Sequence, residues 1–401
     1  MAGTGGTPFG TGVQRFAEPR RVARILRLDL LMLLGTLGLI AFSLVTLDTA
    51  TSTDVPGSPH YFVTRQGAYA VIGLTLMIAL AAIDYSRFRE LRVGLYGATI
   101  GLIVLVLGVA GATRGSRRWI ELPFFRFQPS ELGKVLLILA LSAFIVDRVR
   151  RLQDRETTSR IMLLALVPTL LVMAQPDLGT SIVYVTIALA LLFVAGTKWT
   201  HFATLAGVAA GAVALVLVIA PAAGITVLKD YQTERLTAFL QKDEANPQRQ
   251  GYQVNQAETA IGSGRKTGRG SDAATQTRLD FLPESRTDFI FAAVGELYGF
   301  VGAGIVLSLY ALLIWRSLRI LTIAKNLYGA LLAAGVGVML MTQVFVNVGG
   351  NVGIMPITGI PLPLMSYGGS SVIVTLIALG LLQSVYVQAR EAAASKSEAL
   401  V

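Results

Sequence analysis

The segment FLPESRTDFIF, residues 281–291, sets Glu284, Arg286 and Asp288 against the start of a long apolar run, Phe289 to Trp315. A carboxylate at the mouth of a membrane segment is costly to desolvate and needs a reason to be there. Asp288 is therefore the first candidate for acid–base chemistry. It has a plainer rival role, because Asp is a favoured cap at a helix start, and Thr287 or Ser285 can share that position. Both roles stand open on the residues alone. Glu296, eight residues on, lies roughly 80° around a helix from Asp288, so the two can face one polar interior without sharing an atom.

Three further stretches carry chemistry. Glu131 and Lys134 sit three apart at the start of an apolar run, a spacing that lets them pair on one helix face. A charge in mid-membrane costs about 3 kcal/mol, so the pair is either a structural ion pair or the lining of a polar substrate cavity. ATRGSRRWIELPFFRFQPSE carries Arg114, Arg117, Arg118 and Arg126. Arginines there suit lipid headgroups or a bound anion, since a guanidinium grips phosphate through two hydrogen bonds. SYGGSS, 366–371, opens another apolar run, and its N–H groups can cradle an anion or simply cap and hinge the helix.

The elements that must position these residues are membrane helices. The chain is 53% hydrophobic and only 14% charged over 401 residues, where soluble domains carry about 25% charged residues. Runs of about 20 apolar residues recur, and they are continuous rather than alternating, which means helices and not a barrel. The expected fold is an all-α polytopic membrane protein. Ten spans are expected, at about 28–48, 64–83, 92–112, 130–147, 159–175, 178–196, 202–222, 288–314, 327–348 and 368–388. Asp177 marks a tight turn between the fifth and sixth. Residues 1–24 read as a basic cytoplasmic tail without a signal peptide, 25–388 as one transmembrane domain and 389–401 as a second tail. There are no cysteines, and the two histidines, His60 and His201, are too few for a histidine metal site. The net charge of +10 points to membrane topology rather than nucleic acid, because much of it sits in short loops.

Those loops alternate. The N-terminal tail and the links around Arg87–Arg92, Arg148–Arg160 and Arg316–Lys325 are basic, which puts both termini in the cytoplasm and loops 113–129, 223–287 and 349–367 outside. The four arginines of the 113–129 loop break that rule. The 223–287 loop is the one large soluble piece, and between Lys229 and Asp288 its basic and acidic residues balance. Within it, DYQTERLTAFL suits a helix lying on the membrane surface. IGSGRKTGRG, 261–270, is a glycine-rich turn without the strand-then-helix context of a nucleotide loop. Residues 349–367 are apolar but broken by Pro356, Pro361 and Pro363, so they form an irregular, re-entrant segment before the last span.

These blocks carry a resemblance. RRWIELPFFRFQPSELGK at 117–134, QPDLGTS at 175–181, KDYQTERLTAFL at 229–240, GYQVNQAETAIGSG at 251–264, LPESRTDFIF at 282–291 and GIPLPLMSYGGSS at 359–371 occur in one order. Together they resemble the SEDS family (shape, elongation, division and sporulation), polytopic glycosyltransferases of bacterial peptidoglycan synthesis. QPDLGTS and GIPLPLMSYGGSS are closer to its elongation branch than to its division branch. LPESRTDF departs from the usual LPERHTDF at Ser285 and Arg286, and GSGRKTGRG is more basic than the usual GSGGLLGKG-like run.

The resemblance implies polymerisation of lipid II at the outer face of the bacterial cytoplasmic membrane, during elongation and shape maintenance. The donor is a polyprenyl-pyrophosphate-linked glycan in α linkage and the product is β, so inversion by direct displacement is implied. Asp288 matches the family's essential Asp and would be the base. Arg117, Arg118, Ser366, Gly368, Gly369 and Ser370 would hold the pyrophosphate, and Glu131 and Lys134 match a polar pair at the central cavity. Arg286, Glu296 and Gln128 are secondary candidates. No resident cofactor is implied beyond a divalent cation, magnesium or manganese, at the pyrophosphate. The implied partners are lipid II, membrane lipids and a class B penicillin-binding protein transpeptidase. The rival reading is a lipid II flippase, since broken helices and membrane carboxylates are transporter features too.

Overall fold

A computed structural model describes residues 27–51, 57–109, 118–121, 125–215, 221, 250–279, 281–282 and 284–398. The expected N-terminal tail and the surface helix from Asp230 lie outside these residues. The described chain is helical: α1 (Leu30–Ala50), α2 (Tyr61–Ala81), α3 (Arg92–Val109), α4 (Pro129–Asp147), α5 (Arg155–Ala174), α6 (Leu178–Val194), α7 (Trp199–Ala214), α8 (Gln250–Ser263), α9 (Ile290–Ile323), α10 (Leu327–Asn351) and α11 (Gly369–Glu398). Among the described residues seven of these are long and apolar enough to cross a membrane, and α3 and α6 are shorter apolar helices. All ten expected spans have a helix in place. Helix α11 runs on to Glu398, past the span end expected at 388, because AREAAASKSE is rich in helix formers.

Local chemistry sets the helix starts. Asp29 accepts the Met32 N–H at 3.1 Å, Asp177 the Thr180 N–H at 3.1 Å and Asn326 the Gly329 N–H at 2.9 Å; each satisfies an orphan donor of a first turn. Pro129 opens α4, where its missing N–H costs nothing. Helices α4, α10 and α11 are mostly buried. Helix α2 lies along α11, α9 runs against α1 and α10, and α6 against α10 and α5. The outer helices turn Leu34, Val71, Val93, Leu105, Leu163 and Phe300 outward, as lipid requires.

Three ion pairs, on two carboxylates, brace the end of the bundle remote from Asp288. Asp29, 2% exposed, takes the Arg316 guanidinium and is tied to α11 by Gln383, whose Oε1 accepts the Asp29 N–H at 2.8 Å. Asp147 holds Arg89 at 2.8 Å and Arg92 at 3.0 Å. These arginines belong to the basic links seen in the sequence, so the loops that set topology also bind the helices together.

The glycine-rich stretch has a structural use. Helix α9 breaks at Gly299 (φ 64°, ψ −159°), and the turn after α8 splices the break. The Phe300 N–H donates to Arg265 O at 2.9 Å, Val301 N–H to Lys266 O at 3.0 Å, and Arg269 N–H to Glu296 O at 2.9 Å. The backbones approach so closely that a Cβ on Gly268 (φ +86°) would lie 2.1 Å from Leu297 O. Gly268→Ala therefore costs about 1–2 kcal/mol in backbone strain alone, and the clash adds to it. A lower melting temperature and faster proteolysis within 250–282 are expected, whereas Gly262→Ala, which opens onto free space, leaves both unchanged.

Candidate active site

The residues SRTD form tight turns ahead of α9. Thr287 N–H donates to Glu284 O at 3.0 Å, Phe289 N–H to the same oxygen at 3.3 Å, and Thr287 Oγ1 to Glu284 Oε2 at 3.1 Å. Glu284 takes φ +52° to make them. The proline-broken segment 352–368 holds these turns from the side. Ser366 Oγ donates to Thr287 O at 2.6 Å, and Tyr367 N–H to Arg286 O at 2.8 Å. Ser366 Oγ also accepts the Leu362 N–H at 2.8 Å. The Asp288 carboxylate lies beside Gly359 (φ +74°), where a Cβ would be 3.7 Å from Oδ2. Asp288 remains partly exposed.

The helix start itself is served from elsewhere. Phe289 is the N-cap of α9 and makes no side-chain cap bond. The Ala292 N–H donates to Asn351 Oδ1 on α10 at 3.0 Å. The main-chain oxygen of Asp288 accepts from Asn347 Nδ2 at 3.0 Å and Asn351 Nδ2 at 2.9 Å. These asparagines carry no motif; the available signal was their four-residue spacing, which puts both on one face of a helix.

A second wall forms from α4, α6 and the start of α11. Gln128 Nε2 donates to Asp177 Oδ2 at 3.0 Å and to Ser130 Oγ at 3.1 Å. The Gln128 N–H donates to Ser370 Oγ at 3.0 Å, and that hydroxyl donates to Arg126 O at 2.8 Å. Arg118 Nε reaches Gln175 O at 3.0 Å. Arg126 lies on a short antiparallel pair, β1 (Ile120–Glu121) and β2 (Arg126–Phe127), opposite Glu121, with their side chains 3.6 Å apart. Beneath this wall Glu131 and Lys134 pair at 2.6 Å, both side chains 2% exposed.

The two walls meet at residues 358–360. A Cβ on Gly179 would lie 3.0 Å from Thr358 O, so the start of α6 packs on one side of this strip while Asp288 lies beside Gly359. Arg118, Gln128, Ser366, Ser370 and Asp288 thus share one end of the bundle, linked through this segment. Arg117 lies outside the described residues. In SYGGSS the Tyr367 and Gly368 N–H groups are taken by Arg286 O and Gln66 Oε1. The N–H groups of Gly369, Ser370 and Ser371 form the first turn of α11, without acceptors inside their helix.

Two secondary candidates separate. Arg286 stacks over the Phe62 ring at 4.5 Å, and Phe62 meets Tyr367 edge-on at 5.0 Å, so Arg286 sits at the mouth near Asp288. Arg65, which no motif flagged, stacks on Tyr61 at 4.5 Å one turn along α2. Glu296 is engaged by the segment after α8 instead. Its carboxylate accepts from Gln276 N at 2.9 Å, Thr277 N at 2.8 Å and Thr277 Oγ1 at 2.7 Å, capping the turn Thr275–Arg278. Among the described residues no group of three His, Cys, Asp or Glu could hold a metal.

Residues 24–391 match the family model FtsW/RodA/SpoVE, described as a cell cycle protein. The "Peptidoglycan glycosyltransferase MrdB" of Escherichia coli (strain K12) is 38% identical over 359 residues, covering 90% of this chain and 93% of that protein. The "Probable peptidoglycan glycosyltransferase FtsW" of Thioalkalivibrio sulfidiphilus is 39% identical over 378 residues, covering 90% of each. Among solved structures, a chain from work on the structural coordination of polymerization and crosslinking by a peptidoglycan synthase complex superposes with a TM-score of 0.74. It is 32% identical, with 90% of this chain and 98% of that chain covered. The crystal structure of the rod shape determining protein RodA of Thermus thermophilus superposes with a TM-score of 0.63 at 30% identity, covering 90% and 96%.

Proposed function

The chain belongs to the FtsW, RodA and SpoVE family of cell cycle proteins, and we infer that it is a peptidoglycan glycosyltransferase that polymerises lipid II. The observation that carries this reading is that Asp288 lies beside Gly359, while α6, which packs on the neighbouring Thr358, belongs to the wall in which Arg118 holds Gln175 O and Ser370 holds Gln128. A glycosyl transfer with inversion needs a base at the acceptor hydroxyl and positive charge at the departing pyrophosphate. Asp288 takes the proton from the 4-hydroxyl of the acceptor sugar. That oxygen then bonds the anomeric carbon of the donor as the bond to pyrophosphate breaks, turning an α linkage into a β one. Arg118 and the N–H groups of Gly369, Ser370 and Ser371 receive the pyrophosphate. The Glu131–Lys134 pair underlies that wall. A divalent cation at the pyrophosphate would be held through phosphate oxygens and at most one or two carboxylates, since the described residues hold no larger ligand group.

The protein is a multi-pass membrane protein. The alternation of basic loops supports a cytoplasmic location for both termini and an extracytoplasmic site, in the bacterial cytoplasmic membrane. QPDLGTS and GIPLPLMSYGGSS support the elongation branch over the division branch. The likeness to a synthase that couples polymerisation to crosslinking supports a class B penicillin-binding protein as partner. Purified protein with that partner is expected to convert lipid II into glycan strands. Movement of lipid II across sealed liposomes without strand formation would replace this reading with a transporter.

A further inference from the structure

We propose that Asn347 and Asn351 are positioning residues that fix Asp288 for proton transfer; this rests on the reading of Asp288 as the base. Two amides on successive turns of α10 converge on one atom. Asn347 Nδ2 and Asn351 Nδ2 both donate to the Asp288 main-chain oxygen, at 3.0 and 2.9 Å. Asn347 also donates to Ile360 O at 2.9 Å, so one side chain bolts Asp288 to the residue after Gly359, against which the carboxylate lies. Asn351 also donates to Asn347 O at 2.9 Å and accepts the Ala292 N–H at 3.0 Å, which locks the first turn of α9 to the same helix. Both asparagines are buried, at 6% and 2% exposure, and unmatched amides there would be costly.

The consequence is rotational. Asp288 lies one residue before the N-cap of α9, at the junction between that helix and the hydrogen-bonded turns over 284–289. The two amides fix its peptide plane, and with it the direction in which the carboxylate leaves the backbone. They touch no reacting atom. They act through Asp288, on a geometry whose loss by about 1 Å costs on the order of 10²-fold in rate.

Two variants separate positioning from folding. Asn347→Leu has similar volume and no donors. Asn351→Asp keeps an oxygen for the Ala292 N–H and loses the donor to Asp288. With the full protein and its partner transpeptidase on lipid II, each is expected to lower kcat per folded molecule roughly 10- to 100-fold, leave KM unchanged and shift the acid limb of the kcat–pH profile. In an Asp288→Asn background neither should lower the residual rate further, since coupled residues are non-additive. If Asn347→Leu does not fold, Asn351→Asp alone decides. Wild-type kcat and an unmoved acid limb in these variants, alongside an inactive Asp288→Asn, would overturn the positioning role and leave the base intact. Full activity in Asp288→Asn would overturn the base and this proposal with it.

Discussion

Lys134→Met is expected to destabilise the protein by about 3–5 kcal/mol, the usual result of removing one partner from a buried ion pair. The ammonium forms an ion pair with Glu131 Oε1 at 2.6 Å, both side chains are 2% exposed, and that oxygen accepts no hydrogen bond. The variant therefore strands a carboxylate oxygen in the centre of the bundle, where its desolvation is uncompensated. The paired change Glu131→Leu with Lys134→Met removes both charges and is expected to recover most of the loss, because an apolar replacement of a whole buried pair is often neutral. Thermal unfolding in one detergent checks both. A Lys134→Met protein that melts with the wild type would mean that Glu131 has another donor, and that the pair does not hold α4 in place.

Much of the fold was legible because lipid leaves a chain few options. Continuous apolar runs had to be helices, and Asp177 marked the turn between two of them, whereas the caps Asp29 and Asn326 and the opening Pro129 went unread. Asp288 was legible for the same reason: a carboxylate at the edge of an apolar run stands out. What stayed hidden was non-local. GSGRKTGRG announced a turn, but not that it splices a break at Gly299, because the two lie 30 residues apart and meet through backbone groups. By helical angle Glu296 could face the same polar interior as Asp288, yet it caps residues 275–278 that no periodicity placed beside it. Ser366 and Ser370 were singled out as anion ligands; the Ser366 hydroxyl holds Thr287 to the broken segment, and the Ser370 hydroxyl holds Arg126 to the start of α11. Of the asparagines that clamp Asp288, Asn347 sat inside an expected span and Asn351 in the segment read as irregular, and nothing in either run set them apart.

Asp288→Asn is expected to lower polymerisation roughly 10²- to 10⁴-fold, the range in which a positioned general base contributes. Asparagine has the same shape, and the bonds that seat this residue reach its main-chain oxygen, so the fold and lipid II affinity should survive. What is lost is an oxygen able to take a proton. Asp288→Glu keeps the base but carries it one methylene further toward Gly359, and should fall between the two. The most direct test is single-turnover coupling of lipid II by wild type and Asp288→Asn in matched proteoliposomes, with bound lipid II quantified in each. The wild type should form glycan strands while Asp288→Asn holds lipid II unreacted; strands made by Asp288→Asn at the wild-type rate would contradict the assignment of Asp288 as the base.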